Sequence, residues 1–352
     1  MLIFRPAQFA DLPAIEHLAV TAGGSMTTLP NNRDHLAQLI SSTQQSLQKT
    51  VLAPGDQSYH FVVEDTDNQE ILGISGIEAC VGYSSPFYSF RCAQLEHHSA
   101  ELQIKNTIDT LHLSQDYEGA SRLYTFFLAG SKHASYPLSL LSLSRLMFIG
   151  QHPERFAKKL VLELQGIVDK NQRSPFWQAL GQLFFNMDFR RANYLTGINA
   201  KGFIADLMPK YPVYVPLLDK SAQVVIGKLR HNLTAVKDLL TEQGFRQKGY
   251  ISIFDGGPTL ESDTATIKTI VEQFSVTVKI ENTVAAVLND VLISNNLVRD
   301  YACIHAQIDL DDIYLNPAQA QLLKVEEGDT IYLLPLNCAP KTTTQSPLEN
   351  RR

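Results

Sequence analysis

The spacing of apolar residues predicts a short strand over residues 2–5, followed by a helix. Ile15, Leu18 and Ala19 fall on one helical face, Asp11 is placed to cap it, and Pro13 sits in the first turn, where a missing N–H costs nothing. Ala22-Gly23-Gly24-Ser25 breaks this helix, and Leu36, Leu39, Ile40 and Leu47 mark a second one from about Arg33 to Lys49. Residues 59–64 and 71–81 read as strands of a hairpin around Asp65-Thr66-Asp67-Asn68. The stretch 82–116 is only weakly periodic and reads as an extension of the sheet with loops. Leu123–Leu128 is a buried strand, 138–149 a helix and 160–165 another strand, while 175–185 and 199–208 are helical.

Further on, 223–228 and 250–254 read as strands flanking a helix over 235–243, which stops at Gly244. Beyond about Val276 the texture becomes β-rich: strands at 284–287, 291–294, 301–307 and 330–334, a short helix at 316–323, and a tight turn at Glu327-Gly328-Asp329. The expected class is α+β: a mixed, mostly antiparallel sheet flanked by helices, with a second α/β unit and a small β-rich C-terminal lobe. The boundaries read as 1–195, 196–275 and 276–340, with a frayed tail at 341–352.

Composition narrows the function. Of 352 residues, 44% are hydrophobic and 19% charged, enough apolar material for a packed core. With 30 basic against 36 acidic residues the net charge is −6, which argues against a broad nucleic-acid face, since phosphate binding needs clustered cations. No apolar run approaches the ~20 residues of a membrane span, and the first residues lack the pattern of a signal peptide. Cys80, Cys92, Cys303 and Cys338 are scattered without a CxxC pair, so no zinc or dithiol motif is present; they read as buried thiols in a reducing, cytoplasmic setting.

The order strand, helix, helix, three strands, helix, strand over the first half resembles the N-acetyltransferase-like (GNAT) fold. Longer segments are more specific: Thr27-Thr28-Leu29-Pro30, Ser174-Pro175-Phe176-Trp177-Gln178 through Phe189, Phe203-Ile204-Ala205-Asp206-Leu207-Met208-Pro209-Lys210, and Ile253-Phe254-Asp255-Gly256-Gly257-Pro258-Thr259-Leu260-Glu261. Together they resemble the arginine/ornithine N-succinyltransferase family, from Arg5 to about residue 335. The resemblance implies transfer of a succinyl group from succinyl-CoA to the α-amino group of L-arginine, or ornithine, in arginine catabolism. It implies no permanently bound cofactor and no metal. Homo-oligomerisation or pairing with a paralogous subunit is expected, and a non-catalytic partner subunit is the alternative reading.

The resemblance also names residues. His231-Asn232-Leu233-Thr234-Ala235 matches a His-x-x-Thr-Ala pattern whose histidine takes the amine's proton; an ungapped match would place Arg230 there instead. His97, in a His-x-Ser-x-Glu match, is a second candidate base or a histidine bonded within a loop. Tyr250 is a candidate proton donor to the leaving thiolate, or a packed strand tyrosine. Phe126 aligns with a succinyl-CoA contact. The next loop lacks the family's glycines and reads Lys132-His133-Ala134-Ser135-Tyr136-Pro137, which leaves Lys132 and His133 to face CoA phosphates. Arg91 and Arg145 are candidates for the succinyl carboxylate or a phosphate, and Glu78, Asp255 and Glu261 for the substrate's cationic end, each of them otherwise a scaffold ion pair.

Overall fold

In the computed structural model of the chain, which describes residues 1–23, 26, 28–130, 135–197, 202–281 and 288–336, the strands form one continuous sheet. They are β1 (Leu2–Pro6), β2 (Ser58–Asp65), β3 (Glu70–Glu78), β4 (Ser89–Ser99), β5 (Ile104–Ser114), β6 (Ser121–Leu128), β7 (Lys159–Glu163), β8 (Val213–Tyr214), β9 (Arg246–Ser252), β10 (Pro258–Asp263), β11 (Phe274–Thr277), β12 (Asn289–Ser294), β13 (Cys303–Ile308) and β14 (Thr330–Pro335). Their spatial order is β11-β14-β12-β13-β1-β2-β3-β6-β7-β10-β9-β4-β5-β8. Every ladder between them is antiparallel except β6–β7.

Strand alternation assigns the two faces. Helices α1 (Leu12–Thr21) and α2 (Arg33–Gln48) lay Ile15, Leu18, Leu36 and Ile40 against Val62 and Ile74. The intervening positions Tyr59, Phe61 and Ile77 point the other way, onto Leu140, Leu141 and Phe148 of α3 (Ser135–Gln151). Short helices α4 (Pro175–Ala179), α5 (Gly181–Phe185), α6 (Phe189–Gly197), α7 (Gly202–Leu207) and α8 (Lys220–Gln223) gather around fully buried Trp177, whose indole N–H donates to the Met187 carbonyl at 3.0 Å. Then come α9 (Thr234–Glu242), α10 (Lys268–Glu272) and, beside the C-terminal strands, α11 (Pro317–Leu323). The segments expected as a second α/β unit and a C-terminal lobe supply β9–β10 and β11–β14 to the same sheet.

Several local expectations are corrected. Asp11 does not cap α1 with its side chain. It accepts from Arg5 Nη1 and Nη2 at 2.8 Å each and from the Gln8 N–H, closing a 3₁₀ turn ahead of the helix. Residues 175–185 form two helices rather than one, because Leu180 leaves helical geometry at φ −130, ψ −72, and Gly181 then lies against the Trp177 ring, where a Cβ would come within 2.2 Å of it. The strand expected at 223–228 is instead the end of α8 and a turn, initiated by Asp219 capping Ser221. Helix α6 was not legible. Cys303 is buried as expected, but Cys92 is exposed on β4 and Cys80 half-buried, so the thiols are not uniformly core. The expected strand at 284–287, the tail and Cys338 lie outside the described residues.

Candidate functional site

The site begins with a flaw in the sheet. Parallel strands β6 and β7 pair only at Ser121↔Leu160 and Arg122↔Val161 and then part, while β6 stays paired to β3 and β7 to β10. The divergence has a local cause. Register slips between Ile74 and Gly76, because Thr125 adopts φ +49, a left-handed conformation that costs a β-branched residue on the order of 1–3 kcal/mol. The Thr125 hydroxyl is anchored on the Thr28 carbonyl at 3.2 Å. The resulting slot opens into a cleft of about 620 Å³, lined by both strand ends and by α2, α3 and α9.

On the α1–α2 face the slot is polar. Arg122 donates to Glu78 at 2.6 Å and lies 4.0 Å from Glu163 at the end of β7. Burial would lower the Arg122 pKa, but the two carboxylates outweigh it and raise it. Arg122 also lies over the rings of Phe87 and Tyr124, at 5.0 and 5.1 Å. Two carboxylates against one guanidinium leave this rim with a formal surplus of one negative charge. Register places Glu261 on the same face, since Glu261 stands opposite Val161 and Val161 opposite Arg122.

His60 of β2 also lines the cleft. The Thr43 hydroxyl donates to the Leu39 carbonyl, so at 3.2 Å it must accept from His60 Nδ1–H. That leaves Nε2 as a lone-pair acceptor without a hydrogen-bond partner among the described residues, enclosed between Gly76 and the Tyr124 ring. Burial, with a smaller push from His35, lowers the ring's pKa to about 3, and burial and Arg155 lower that of His152 to about 4. Both rings are neutral in the fold. As pH falls below about 6.5 the unfolded chain takes up protons that the folded chain refuses, so stability drops towards the folded pKa values and then levels off. Each ring is expected to cost up to about 2 kcal/mol at pH 5. Urea midpoints between pH 7.5 and 5 should fall less steeply in His60→Asn and His152→Asn; unchanged slopes would clear the histidines of the effect.

On the α3 face, Arg145 is 2% exposed, stacks 5.1 Å over Phe126 and reaches the Gly76 carbonyl at 3.4 Å.

The sequence-named residues divide accordingly. Glu78, Phe126, Arg145 and Asp255 line the cleft. Asp255 is buried, and its carboxylate accepts the Gly166 and Gly257 N–H groups at 2.8 and 3.0 Å, so it braces the chain beyond β7. Glu261 takes the Tyr117 hydroxyl at 2.7 Å and lies 3.4 Å from Lys159. The Tyr250 hydroxyl donates to Asp116 at 2.6 Å, and burial together with that carboxylate raises its pKa to about 12. Tyr250, Glu261 and exposed Arg91, which is paired with Tyr250 across β4–β9, do not line the cleft. His97 is exposed on the outer half of the β4–β5 hairpin, opposite Asn106. His231 is exposed on a 3₁₀ turn whose third residue, Leu233, does line the cleft. Arg230 donates from Nε to the Gly166 carbonyl at 3.1 Å. Lys132 and His133 lie outside the described residues.

Sequence reasoning missed Arg122, Glu163, His60 and Tyr124. The available signal was polar residues at alternate positions of strands otherwise buried on both faces, which places them towards a cavity.

Comparison with known proteins gives a consistent result. The family described as "Arginine N-succinyltransferase beta subunit" matches residues 2–269, and its C-terminal domain matches 274–335. Arginine N-succinyltransferases of Enterobacter sp. (strain 638) and Salmonella schwarzengrund are each 38% identical, over 97% of this chain and the whole of theirs. The solved structure of arginine/ornithine succinyltransferase subunit AI from Pseudomonas aeruginosa superposes with a TM-score of 0.88 at 35% identity, over 96% of this chain and 99% of that one. Among the described residues no helix is long and apolar enough to cross a membrane.

Proposed function

The chain belongs to the arginine N-succinyltransferase family of acyltransferases, and from that premise we propose that its cleft moves a succinyl group from succinyl-CoA to the α-amino group of L-arginine. The observation that supports this reading in the fold is the parting of β6 and β7, which leaves a strand-wide gap edged by backbone groups. An extended pantetheine arm fits there much as an added strand would. The acceptor then enters from the α1–α2 face, where Glu78, Arg122 and Glu163 carry surplus negative charge suited to a guanidinium.

The chemistry is direct. The neutral amine attacks the thioester carbonyl, the carbon–sulfur bond breaks, the amine's proton leaves to a base and the CoA thiolate is protonated. The oxyanion of the tetrahedral intermediate is met by N–H donors at the strand ends. His231 is the base named by the sequence motif, and His60 is a second imidazole within the cleft itself.

Purified protein mixed with succinyl-CoA and L-arginine should release CoA thiol only when both are present, with N-succinylarginine as product by mass spectrometry. L-Ornithine and acetyl-CoA should serve less well. Absence of thiol release with every donor and acceptor pair would refute the reading.

A further inference from the structure

Arg145 is an anomaly among the buried arginines. Arg5 is paired with Asp11 and Glu64, and Arg122 with Glu78 and Glu163. Arg155 donates to three oxygens, those of Tyr59, Ser46 and Lys49. Arg145 has no carboxylate partner among the described residues. Among the described residues its contacts are the Gly76 carbonyl at a long 3.4 Å and the Phe126 ring, and its Nε, like those of Arg122 and Arg155, makes no hydrogen bond. Burial lowers its pKa to about 9, with no neighbouring carboxylate to oppose the shift. A guanidinium in this state is costly, because a ring and one weak hydrogen bond recover only part of the lost hydration. Such a cation is a standing invitation to an anion.

Its place limits the anion. Arg145 lines the cleft and stacks on Phe126, at the β6 edge of the slot, one residue beyond the bulge at Thr125. It stands ten residues into α3, about 15 Å along the axis from that helix's first turn. A phosphate, multiply charged and strongly hydrated, suits an open mouth. A single carboxylate at the end of a short chain suits an enclosed guanidinium, which it can meet through two parallel hydrogen bonds. We infer that Arg145 receives the free carboxylate of the acyl group and so selects a dicarboxylic acyl donor over a monocarboxylic one. This rests on the acyl-transfer reading above and adds to it the residue that reads the donor.

The test compares succinyl-CoA with butyryl-CoA, which has the same chain length and a methyl group in place of the carboxylate. Wild-type protein should favour succinyl-CoA by about 100-fold or more in kcat/KM, because a site built to pair a polar group rejects the analogue lacking it. In Arg145→Met that ratio should collapse towards unity while the thermal midpoint stays level or rises, since an apolar side chain relieves an unpaired buried charge. Arg145→Lys should retain an intermediate preference, as a point charge without the planar fork. A ratio unchanged in Arg145→Met would overturn the inference. So would an equal loss for both donors and for free CoA, which would place Arg145 on a phosphate. A lowered midpoint with selectivity intact would make it a scaffold residue and overturn it too. If Arg145→Met does not fold, Arg145→Lys carries the test: a reduced ratio with butyryl-CoA turnover retained supports the inference, and a ratio equal to wild type overturns it; a wild type indifferent to the two donors overturns the inference while leaving acyl transfer intact. No turnover of any donor by wild type would defeat the transfer reaction, and the inference with it.

Discussion

Gly257→Ala is expected to abolish folding or to lower the unfolding free energy by about 4 kcal/mol or more, the range reserved for backbone conflict in a core. A Cβ at Gly257 would lie 2.1 Å from the Leu164 carbonyl oxygen and 2.5 Å from the Gly166 nitrogen. Both are backbone atoms, so no rotamer change can relieve the clash. Reciprocally, a Cβ at Gly166 would lie 2.3 Å from the Asp255 carbonyl oxygen. Here the chain leaving β7 crosses the turn between β9 and β10 at closest approach, and Asp255 ties both strands of the crossing through their N–H groups. The crossing lies just beyond the end of β7, where Leu164, Gln165 and Asp255 line the cleft. Gly328→Ala is the control: its φ is +94 with no heavy atom within 4 Å of the added carbon, so it should cost only about 1 kcal/mol. Urea unfolding of the two variants measures the difference. Similar midpoints would show that the crossing yields easily to an added methyl group.

Legibility in the sequence followed periodicity. Helices α1, α2 and α9 each bury one stripe, and strands β2, β3, β12 and β13 carry near-continuous buried runs, so their patterns announce them. The β4–β5 hairpin was read only loosely because its outer half, from Gln94 to Thr107, is largely exposed on both faces and has no alternation to display. Nothing in the letters marks the bulge: Thr125 is a good strand former held at positive φ only by its tertiary setting. The motif around Asp255 was visible, but its role was not, since a carboxylate that clamps backbone N–H groups and one that binds a substrate look alike in sequence. Arg145 was visible as a charge inside an apolar helix. Only the structure separates it from Arg91, which is exposed beside the Tyr250–Asp116 pair. Glu163 was hidden because it closes a strand whose central residues, Leu160, Val161 and Leu162, are core.

That residue gives the sharpest test of how the acceptor is read. Glu163→Gln is expected to raise KM for L-arginine by about 10–100-fold and to leave KM for succinyl-CoA within about threefold, because truncating one partner of an enclosed charge pair acts on the ligand it faces. Glu163 closes β7 at the cleft lining and stands 4.0 Å from Arg122, which places its charge where the acceptor's cationic end would enter. The substitution keeps shape and removes charge. It should therefore also narrow the preference for L-arginine over L-citrulline, which replaces the guanidinium with a neutral group of nearly the same outline. Loss of stability is expected to be small, since Arg122 keeps its shorter contact to Glu78. Steady-state kinetics with both amino acids separates the outcomes. A raised KM for both acceptors alike would mean that Glu163 shapes the pocket without reading charge. An arginine-to-citrulline ratio equal to wild type would move the guanidinium elsewhere on this face, with Glu78, the other carboxylate lining the cleft, next to test.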